Sequence, residues 1–391
     1  MAPADGDSGI RLIDCDVHPT FRNGIQDIGP YLTPDWKQRF GIGDEVEIDH
    51  LGNPRASLVD IPRSPFYHPI TGALRQDAFG PDGAPPCTDP QFTAQHHLDA
   101  HEVDRAVLLG GNVLTLGAFV EPNLAAVLAS AHNDWLEETW LEADPRYRGA
   151  AVVAPQDPAR AVAEIHRVAE RSNSWVAVWL PLMRPLMGEE HYYPIYEAAA
   201  AHGMPIVLHL AGAEGTFQNA PTLAGGTPST YFEFKSMYPS VYMNNMISLV
   251  LRGVFERFPS LRVGFIECGI GWLPEALWRM DTNWKALRDE APWVKRLPSE
   301  YVFENVRFAS QPFVEPPNNK QIRDFCEMIH VEKTLMFASD YPHYDFDDPM
   351  RTLALVPKEA RRAVQATTAL DTFGERLRWG PREAAAAGAA A

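Results

Sequence analysis

Short apolar runs rich in β-branched residues recur along this chain, and longer stretches with the apolar spacing of helices lie between them. The pattern predicts eight strands, at residues 11–18, 105–109, 149–154, 176–180, 205–210, 262–268, 306–309 and 334–339. It predicts helices between them, for instance at residues 123–142, 158–171, 193–202, 240–258, 271–288 and 318–329. Such alternation is typical of a parallel sheet. Eight strand–helix units fit a closed, TIM-like (β/α)8 barrel better than an open doubly wound sheet, which stays as the alternative.

The alternation is interrupted after the first strand. Residues 20–102 are rich in Pro and Gly and contain few periodic runs. This connection is too long for an ordinary loop, so we expect an insertion that covers the end of the barrel where barrel enzymes hold their active sites. We therefore predict one α/β barrel domain over residues 1–391, with 20–102 as an inserted cap and the Ala-rich residues 381–391 as a flexible tail.

The composition narrows the class of protein. The 391 residues include 34 Lys plus Arg and 51 Asp plus Glu, so the net charge is −17. This balance, without a long basic run, argues against nucleic acid or an anionic membrane as the main partner. No apolar run approaches the roughly 18 residues that a membrane span needs. The four cysteines show no CxxC spacing, so we expect a cytoplasmic protein without a disulfide framework or a thiolate zinc site.

Polar residues stand where three of the predicted strands end. Asp16 and His18 are two residues apart at the end of the first strand, so they face the same side. His209 closes the apolar run PIVLH, and Asp340 closes the run TLMFASD. Each signal alone has an ordinary explanation, as a core histidine or a helix N-cap. Because a barrel brings these strand ends to one mouth, the four side chains together predict a site for a divalent metal ion.

With these residues the sequence resembles the amidohydrolase superfamily, and within it the branch related to aminocarboxymuconate semialdehyde decarboxylase. The resemblance rests on DVH in the first strand, PIVLHL around His209, GFIECGIGWLPEALWRMD at 264–281 and FASDYPHYD at 337–345. It implies a metal-dependent β/α barrel in which Asp16, His18, His209 and Asp340 match the ligand positions. It also makes Asp340 the best candidate for the group that accepts or delivers a proton.

Two features bear on the metal. Many members of that superfamily carry HxH on the first strand, whereas this chain has Asp16 in the first position. Asp16 and Asp340 would together offset the charge of a dication, and their hard oxygens make manganese or magnesium candidates beside zinc, which we expect first. Superfamily members with two metals commonly bridge them with a carboxylated Lys on the fourth strand. Residues 176–180 contain no Lys, so we expect a single ion.

Further candidates follow the sixth and eighth strands. Glu267 and Cys268 are neighbours, so both are unlikely to face the pocket; we favour Glu267 as ligand, supporting partner or proton carrier, with a buried structural ion pair as the alternative. Cys268 is expected to be an inert, packed thiol. His343 could contact substrate or simply bond to the backbone of its loop.

We expect two other sets of polar residues to be solvated and not to take part in a site. Arg184 could bind a substrate carboxylate, but we expect it to be solvated at the surface. His96, His97 and His101 resemble a metal-binding tract, yet they lie where a helix should precede the second strand. We expect a solvated helix there rather than a metal site.

These observations predict a mononuclear metal enzyme that acts on a small, carboxylated or cyclic organic molecule. The resemblance favours lyase chemistry of the decarboxylase or hydratase type. A metal-dependent hydrolase that activates water at the same ion is the first alternative. A catalytically inactive barrel that serves as a binding protein is the second. We expect a small-molecule substrate and a homo-oligomer, a dimer.

Overall fold

Eight parallel strands form one sheet in the computed structural model, which describes residues 9–43, 74–215, 219–223, 226–313 and 315–378. The strands are β1 (Ile13–Val17), β2 (Arg105–Leu108), β3 (Tyr147–Val152), β4 (Trp175–Trp179), β5 (Ile206–His209), β6 (Val263–Ile266), β7 (Val306–Ala309) and β8 (Leu335–Met336). Each strand pairs with its neighbours in chain order. The predicted (β/α)8 barrel is confirmed, and the open doubly wound sheet is wrong.

The segment that follows β8 closes the barrel against β1. The backbone N–H of Cys15 donates to the carbonyl of Phe337 at 3.0 Å, and that of His18 donates to the carbonyl of Tyr341 at 2.9 Å. The prediction of a strand over 334–339 is too long, because β8 has only two residues. Its continuation leaves the regular ladder: the N–H of Phe337 bonds to the carbonyl of Val364, and Asp340 has a left-handed backbone with φ 61°.

Helices fill most of the connections between strands. The α-helices are α1 (Pro34–Phe40), α2 (Pro90–Thr93), α3 (Pro122–Leu136), α4 (Pro158–Arg171), α5 (Tyr193–Ala201), α6 (Tyr231–Met237), α7 (Pro239–Leu251), α8 (Val254–Arg257), α9 (Leu273–Leu287), α10 (Pro298–Asn305), α11 (Asn319–Met328), α12 (Val331–Thr334), α13 (Pro349–Leu355), α14 (Thr368–Phe373) and α15 (Glu375–Arg378). Several begin with Pro in the first turn, where its missing N–H costs no hydrogen bond. The single helix predicted over 240–258 is instead two, because Gly253 adopts φ 76° between α7 and α8.

Part of the expected insertion lies within the described residues. It contains α1, α2, a 3-10 helix at Gly24–Tyr31 and a π-helix at Ala94–Asp99. Near the barrel mouth, Leu74 pairs with His343 in an antiparallel bridge, and the N–H of Arg75 donates to the carbonyl of Pro342 at 2.9 Å. The assignment of 20–102 as a cap within one domain stays a prediction. The expected tail, 381–391, lies outside the described residues.

The described residues bear on two further expectations, the absence of a membrane span and the absence of disulfides. Among these residues, no helix is both long enough and apolar enough to cross a bilayer. All four cysteines are buried as free thiols.

Candidate metal centre

The ends of the barrel strands bring four predicted side chains together. Nε2 of His18 lies 3.2 Å from Oδ1 of Asp16 and 3.0 Å from Oδ1 of Asp340. Nε2 of His209 lies 3.6 Å from Oδ2 of Asp16. None of the four residues is more than 1% exposed. The barrel thus places two imidazoles and two carboxylates from three distant segments of the chain in one buried cluster.

The backbone fixes which nitrogen of each imidazole faces the cluster. Nδ1 of His18 is 2.9 Å from the carbonyl of Leu109, and Nδ1 of His209 is 2.6 Å from the carbonyl of Leu210. A carbonyl oxygen only accepts hydrogen bonds, so each Nδ1 carries a proton. In the neutral imidazoles, Nε2 therefore presents a lone pair to the cluster, as a metal-ligating histidine does.

Atoms of this cluster are buried without hydrogen-bond partners. Among the described residues, no partner with suitable geometry is found for both carboxylate oxygens of Asp16, Nε2 of His18, Nε2 of His209 and Oδ2 of Asp340. The short distances between these atoms therefore do not have the geometry of hydrogen bonds. Buried polar atoms are rarely left in this state, because each loses its hydration without compensation.

The donor set fits a divalent ion. Ligating atoms of Asp16, His18 and His209 lie within 4.8 Å of one another, as do those of His18, Asp340 and His343. One cation between them would give the unpartnered oxygens and nitrogens a common partner. Two imidazole nitrogens with carboxylate oxygens are suitable for zinc and for manganese.

The charges of these residues are strongly interdependent. Burial alone would lower the pKa of His18, but the carboxylates of Asp16 and Asp340 outweigh it and raise that pKa well above its usual value. The pKa of His209 is raised for the same reason, chiefly by Asp16. Burial opposes ionisation of Asp340, yet His343 and His18 lower its pKa. The carboxylates therefore attract positive charge, and a bound dication would supply it while favouring neutral imidazoles.

Two carboxylates of the site have unusual backbone conformations. Asp340 has φ 61° and Glu267 has φ 49°, both in the left-handed region that residues other than Gly seldom adopt. Such conformations persist where surrounding contacts enforce them, and they are frequent at functional sites.

The contacts that hold Asp340 come from a second buried cluster behind the candidate ligands. Oδ1 of Asp14 accepts the backbone N–H of Asp16 at 3.2 Å and that of Ser339 at 2.9 Å. Oδ2 of Asp14 accepts the hydroxyl of Ser339 at 2.5 Å and lies 2.7 Å from Nε2 of His97. The hydroxyl oxygen of Ser339 in turn accepts the N–H of Tyr341 at 3.1 Å. We call Asp14, His97 and Ser339 the Asp14 clamp, because they join the backbone beside Asp16 to the backbone on both sides of Asp340.

The clamp corrects the prediction of a solvated helix at His96, His97 and His101. His97 is fully buried, and its ring stacks on Tyr341 with centroids 4.5 Å apart. His96 is half-buried and lies 3.0 Å from the hydroxyl of Tyr341, while His101 is also partly buried. The expected helix is present, as the π-helix Ala94–Asp99, but its expected solvation was wrong because the segment packs against the barrel wall and His97 contacts Asp14 there. An acid within the apolar run IRLIDCDV was the available signal.

We predict that the clamp contributes strongly to stability. In His97→Leu the buried Asp14 carboxylate loses its imidazole partner, so we expect the free energy of unfolding to fall by about 3 kcal/mol. Guanidinium unfolding of the two proteins measures this difference. His101→Leu is the matched control from the same segment, because the His101 imidazole is partly exposed and lies as far as 4.0 Å from its partner carboxylate, that of Asp348; a change within about 0.5 kcal/mol is expected. Equal destabilisation by both substitutions would contradict the proposed role of His97.

The structure decides which of Glu267 and Cys268 faces the site. Oε2 of Glu267 lies 3.4 Å from Nε2 of His209, and Oε1 of Glu267 accepts a hydrogen bond from Nζ of Lys235 at 2.7 Å. Burial, together with Asp340, raises the pKa of Glu267, while Lys235 opposes that change. Cys268 is fully buried and its pKa is raised by burial, as expected of an inert thiol.

His343 and Arg184 lie in different surroundings. Nδ1 of His343 is 2.5 Å from Oδ1 of Asp340, and the His343 side chain is 24% exposed. It therefore connects a buried carboxylate to the region of the barrel mouth. Arg184 is exposed, which agrees with the expectation of a solvated side chain.

A cavity of about 220 Å³ opens directly over the cluster. Its lining comprises Leu114, His209, Leu210, Ala211, Gly212, Tyr231, Phe234, Lys235, Glu267, Asp340, His343, Tyr344 and Asp345. Its lining thus combines aromatic rings with charged groups. A larger cavity of about 380 Å³, which includes Trp36, Ser130 and Arg167, lies against α3 and α4 and contains none of the predicted site residues.

Sequence reasoning missed Lys235. It lies on α6, in the connection between β5 and β6, and its ammonium also approaches Oδ2 of Asp345 at 3.0 Å. The only signal is a single Lys in the aromatic run YFEFKSMY. Nothing in that run shows that it folds over the ends of distant strands.

The chain is similar in sequence and in fold to known proteins. Residues 13–374 match the family model described as Amidohydrolase. The chain is 22% identical over 315 residues to 2-amino-3-carboxymuconate-6-semialdehyde decarboxylase of Dictyostelium discoideum. This alignment covers 80% of this chain and 79% of that protein. An amidohydrolase structure from Mycobacterium avium subsp. paratuberculosis K-10 has a TM-score of 0.67 at 20% identity, covering 93% of this chain and 99% of that one. A 5-carboxyvanillate decarboxylase from Novosphingobium aromaticivorans, solved with manganese and 4-hydroxy-3-methoxy-5-nitrobenzoic acid, has a TM-score of 0.64 at 20% identity, covering 94% and 97%.

Proposed function

Because the chain belongs to the amidohydrolase family, we propose that it is a mononuclear, divalent-metal-dependent decarboxylase of small aromatic carboxylic acids. This proposal depends chiefly on one observation. Carboxylate oxygens and imidazole nitrogens of Asp16, His18, His209 and Asp340 are buried without hydrogen-bond partners, directly beneath a cavity. The relative from Dictyostelium is a decarboxylase, and so is the structural neighbour from Novosphingobium. Both favour carbon–carbon lyase chemistry over hydrolysis.

We propose Asp16, His18, His209 and Asp340 as the ligands of one ion. Zinc was the first expectation from the sequence. The neighbour solved with manganese and the two carboxylate ligands now favour manganese. Once bound, the ion would act as a Lewis acid that stabilises negative charge on a substrate oxygen.

The cavity suits a flat ring that carries a carboxylate. Tyr231, Phe234 and Tyr344 line it and offer aromatic surfaces against which a ring could pack. Its volume of about 220 Å³ lies below the usual range for drug-sized ligands, which favours a single-ring substrate. Packing of this kind also excludes water from the reacting carbon.

Asp340 and His343 are placed to handle the proton of such a reaction. Decarboxylation breaks the bond between the ring carbon and the carboxylate, releases carbon dioxide and leaves an electron pair that takes up one proton. The lowered pKa of Asp340 keeps its carboxylate ionised before the reaction. His343, which is partly exposed and has Nδ1 2.5 Å from Oδ1 of Asp340, would therefore pass it a proton from solvent, and Asp340 would deliver that proton to the ring carbon. Glu267, beside His209, would support the charge balance of the site.

Hydrolysis is the second candidate, because the lowered pKa of Asp340 suits a base that deprotonates water. The deciding experiment incubates manganese-loaded protein with a panel of hydroxylated benzoic acids and measures released carbon dioxide. The same protein is assayed with amides and lactones built on the same rings. We expect carbon dioxide from at least one acid and no turnover of the amides or lactones. Turnover of those compounds alone would establish the hydrolase, and protein that neither binds metal nor turns over any compound would establish the inactive barrel.

A further inference from the structure

A second group of carboxylates adjoins the candidate metal centre. Carboxylate oxygens of Glu267, Asp340 and Asp345 lie within 4.8 Å of one another. Asp340 belongs to both groups, so the second group lies immediately beside the first. Three carboxylates this close repel one another, and they are also the kind of oxygen donors that manganese or magnesium binds.

The ammonium of Lys235 already supplies a cation to this group. Nζ lies 2.7 Å from Oε1 of Glu267 and 3.0 Å from Oδ2 of Asp345. The side chains are 16%, 6% and 22% exposed for Lys235, Glu267 and Asp345, so the contacts are shielded from water. Burial alone would lower the pKa of Lys235, but the two carboxylates raise it far above its usual value. The side chain therefore stays positively charged.

We propose that the Lys235 ammonium is a built-in second cation, which occupies the cluster of Glu267, Asp340 and Asp345 in place of a second metal ion and keeps the centre mononuclear. This inference rests on the metal centre of the proposed function. Lys235 would explain why only one ion binds, and this explanation does not depend on the absence of Lys from β4. A covalently attached cation competes with dissolved ions because it never leaves its position beside the carboxylates.

The experiment is a manganese titration that needs no enzyme assay. Wild-type protein and Lys235→Met are freed of metal, dialysed against increasing manganese and analysed for bound metal per chain. We expect one equivalent in the wild type. In Lys235→Met the three carboxylates lack a cation, so a second equivalent should bind, more weakly than the first. Lys235→Arg keeps the charge and should remain at one equivalent.

Two variants serve as matched controls. Lys295→Met removes another Lys paired with a glutamate, at 2.9 Å from Glu256, but its side chain is 70% exposed and lies outside the cavity lining; it should bind one equivalent. The double variant Lys235→Met with Asp345→Asn lacks one of the three carboxylates and should return to one equivalent. If Lys235→Met does not fold, Lys235→Gln, which is uncharged but can still donate hydrogen bonds, carries the same expectation.

The outcomes separate the two proposals. Wild-type protein that binds no metal overturns the proposed metal centre. Wild-type protein with one equivalent and Lys235→Met also with one equivalent, at manganese concentrations far above saturation, overturns the role of Lys235 alone. A second equivalent that persists in the double variant would place the new ion elsewhere and would also overturn this role.

Discussion

Replacing Asp340 with Asn should lower kcat for the proposed decarboxylation by about 10²- to 10⁴-fold, the usual contribution of a positioned acid or base. The amide could not carry the proton that the proposed reaction delivers to the ring carbon. The substitution is mild for the backbone, because Asn tolerates the left-handed conformation that Asp340 adopts at φ 61°. The assay is single-substrate kinetics at saturating manganese, with circular dichroism and bound metal measured on the same samples.

The design must separate chemistry from metal loss, because Asp340 is also a proposed ligand. Comparing kcat only at concentrations that restore full metal content removes that ambiguity. Asp324→Asn is the matched control, since Asp324 is partly exposed on α11 and pairs with Lys320; its kcat should equal that of the wild type. A fully metal-loaded Asp340→Asn protein with kcat within threefold of the wild type would refute the proton role.

Removal of the metal is the second large effect. We expect a chelator to abolish turnover and manganese to restore it, because no other group on the described residues matches the proposed Lewis acid. At a free manganese concentration 100 times the Kd, the free energy of unfolding should be about 2.7 kcal/mol higher than that of the metal-free protein, as mass action requires. The structural cause is the set of buried atoms on Asp16, His18 and His209 that gain a partner.

Guanidinium unfolding with and without manganese measures this stabilisation. His209→Gln removes one proposed ligand, so its unfolding curve should shift much less at the same manganese concentration. Curves that coincide for the wild type with and without the ion would show that this cluster does not bind it.

Much of the barrel could be predicted from sequence because its strands are short, apolar and regularly followed by helices. The candidate ligands could be identified for a related reason: a polar residue that ends an apolar strand is conspicuous. Asp16, His18, His209 and Asp340 all stand at such ends, and the barrel brings such ends together. The proximity of these four side chains therefore follows from the barrel fold.

The missed features depend on contacts that no local pattern records. His97 is buried because Asp14, 83 positions away, needs a partner. Lys235 reaches the site from a short helix, YFEFKSM, whose own sequence does not distinguish this Lys from a surface residue. The early end of β8 has the same origin, since the backbone beside Asp340, which has a left-handed conformation, is held by a hydrogen bond to Asp14 at the other end of the chain.

The Asp14 clamp also has a consequence for how the protein matures. Asp14 and Ser339 are 325 positions apart, and the hydrogen bonds between them join the first strand to the segment after the last. Contacts of such long sequence separation form late, because most of the chain must be ordered before its two ends can meet. An unfinished chain on the ribosome has Asp16 and His18 but not yet Asp340. Loading of the proposed ion would therefore follow translation, and its binding would mark completion of the barrel.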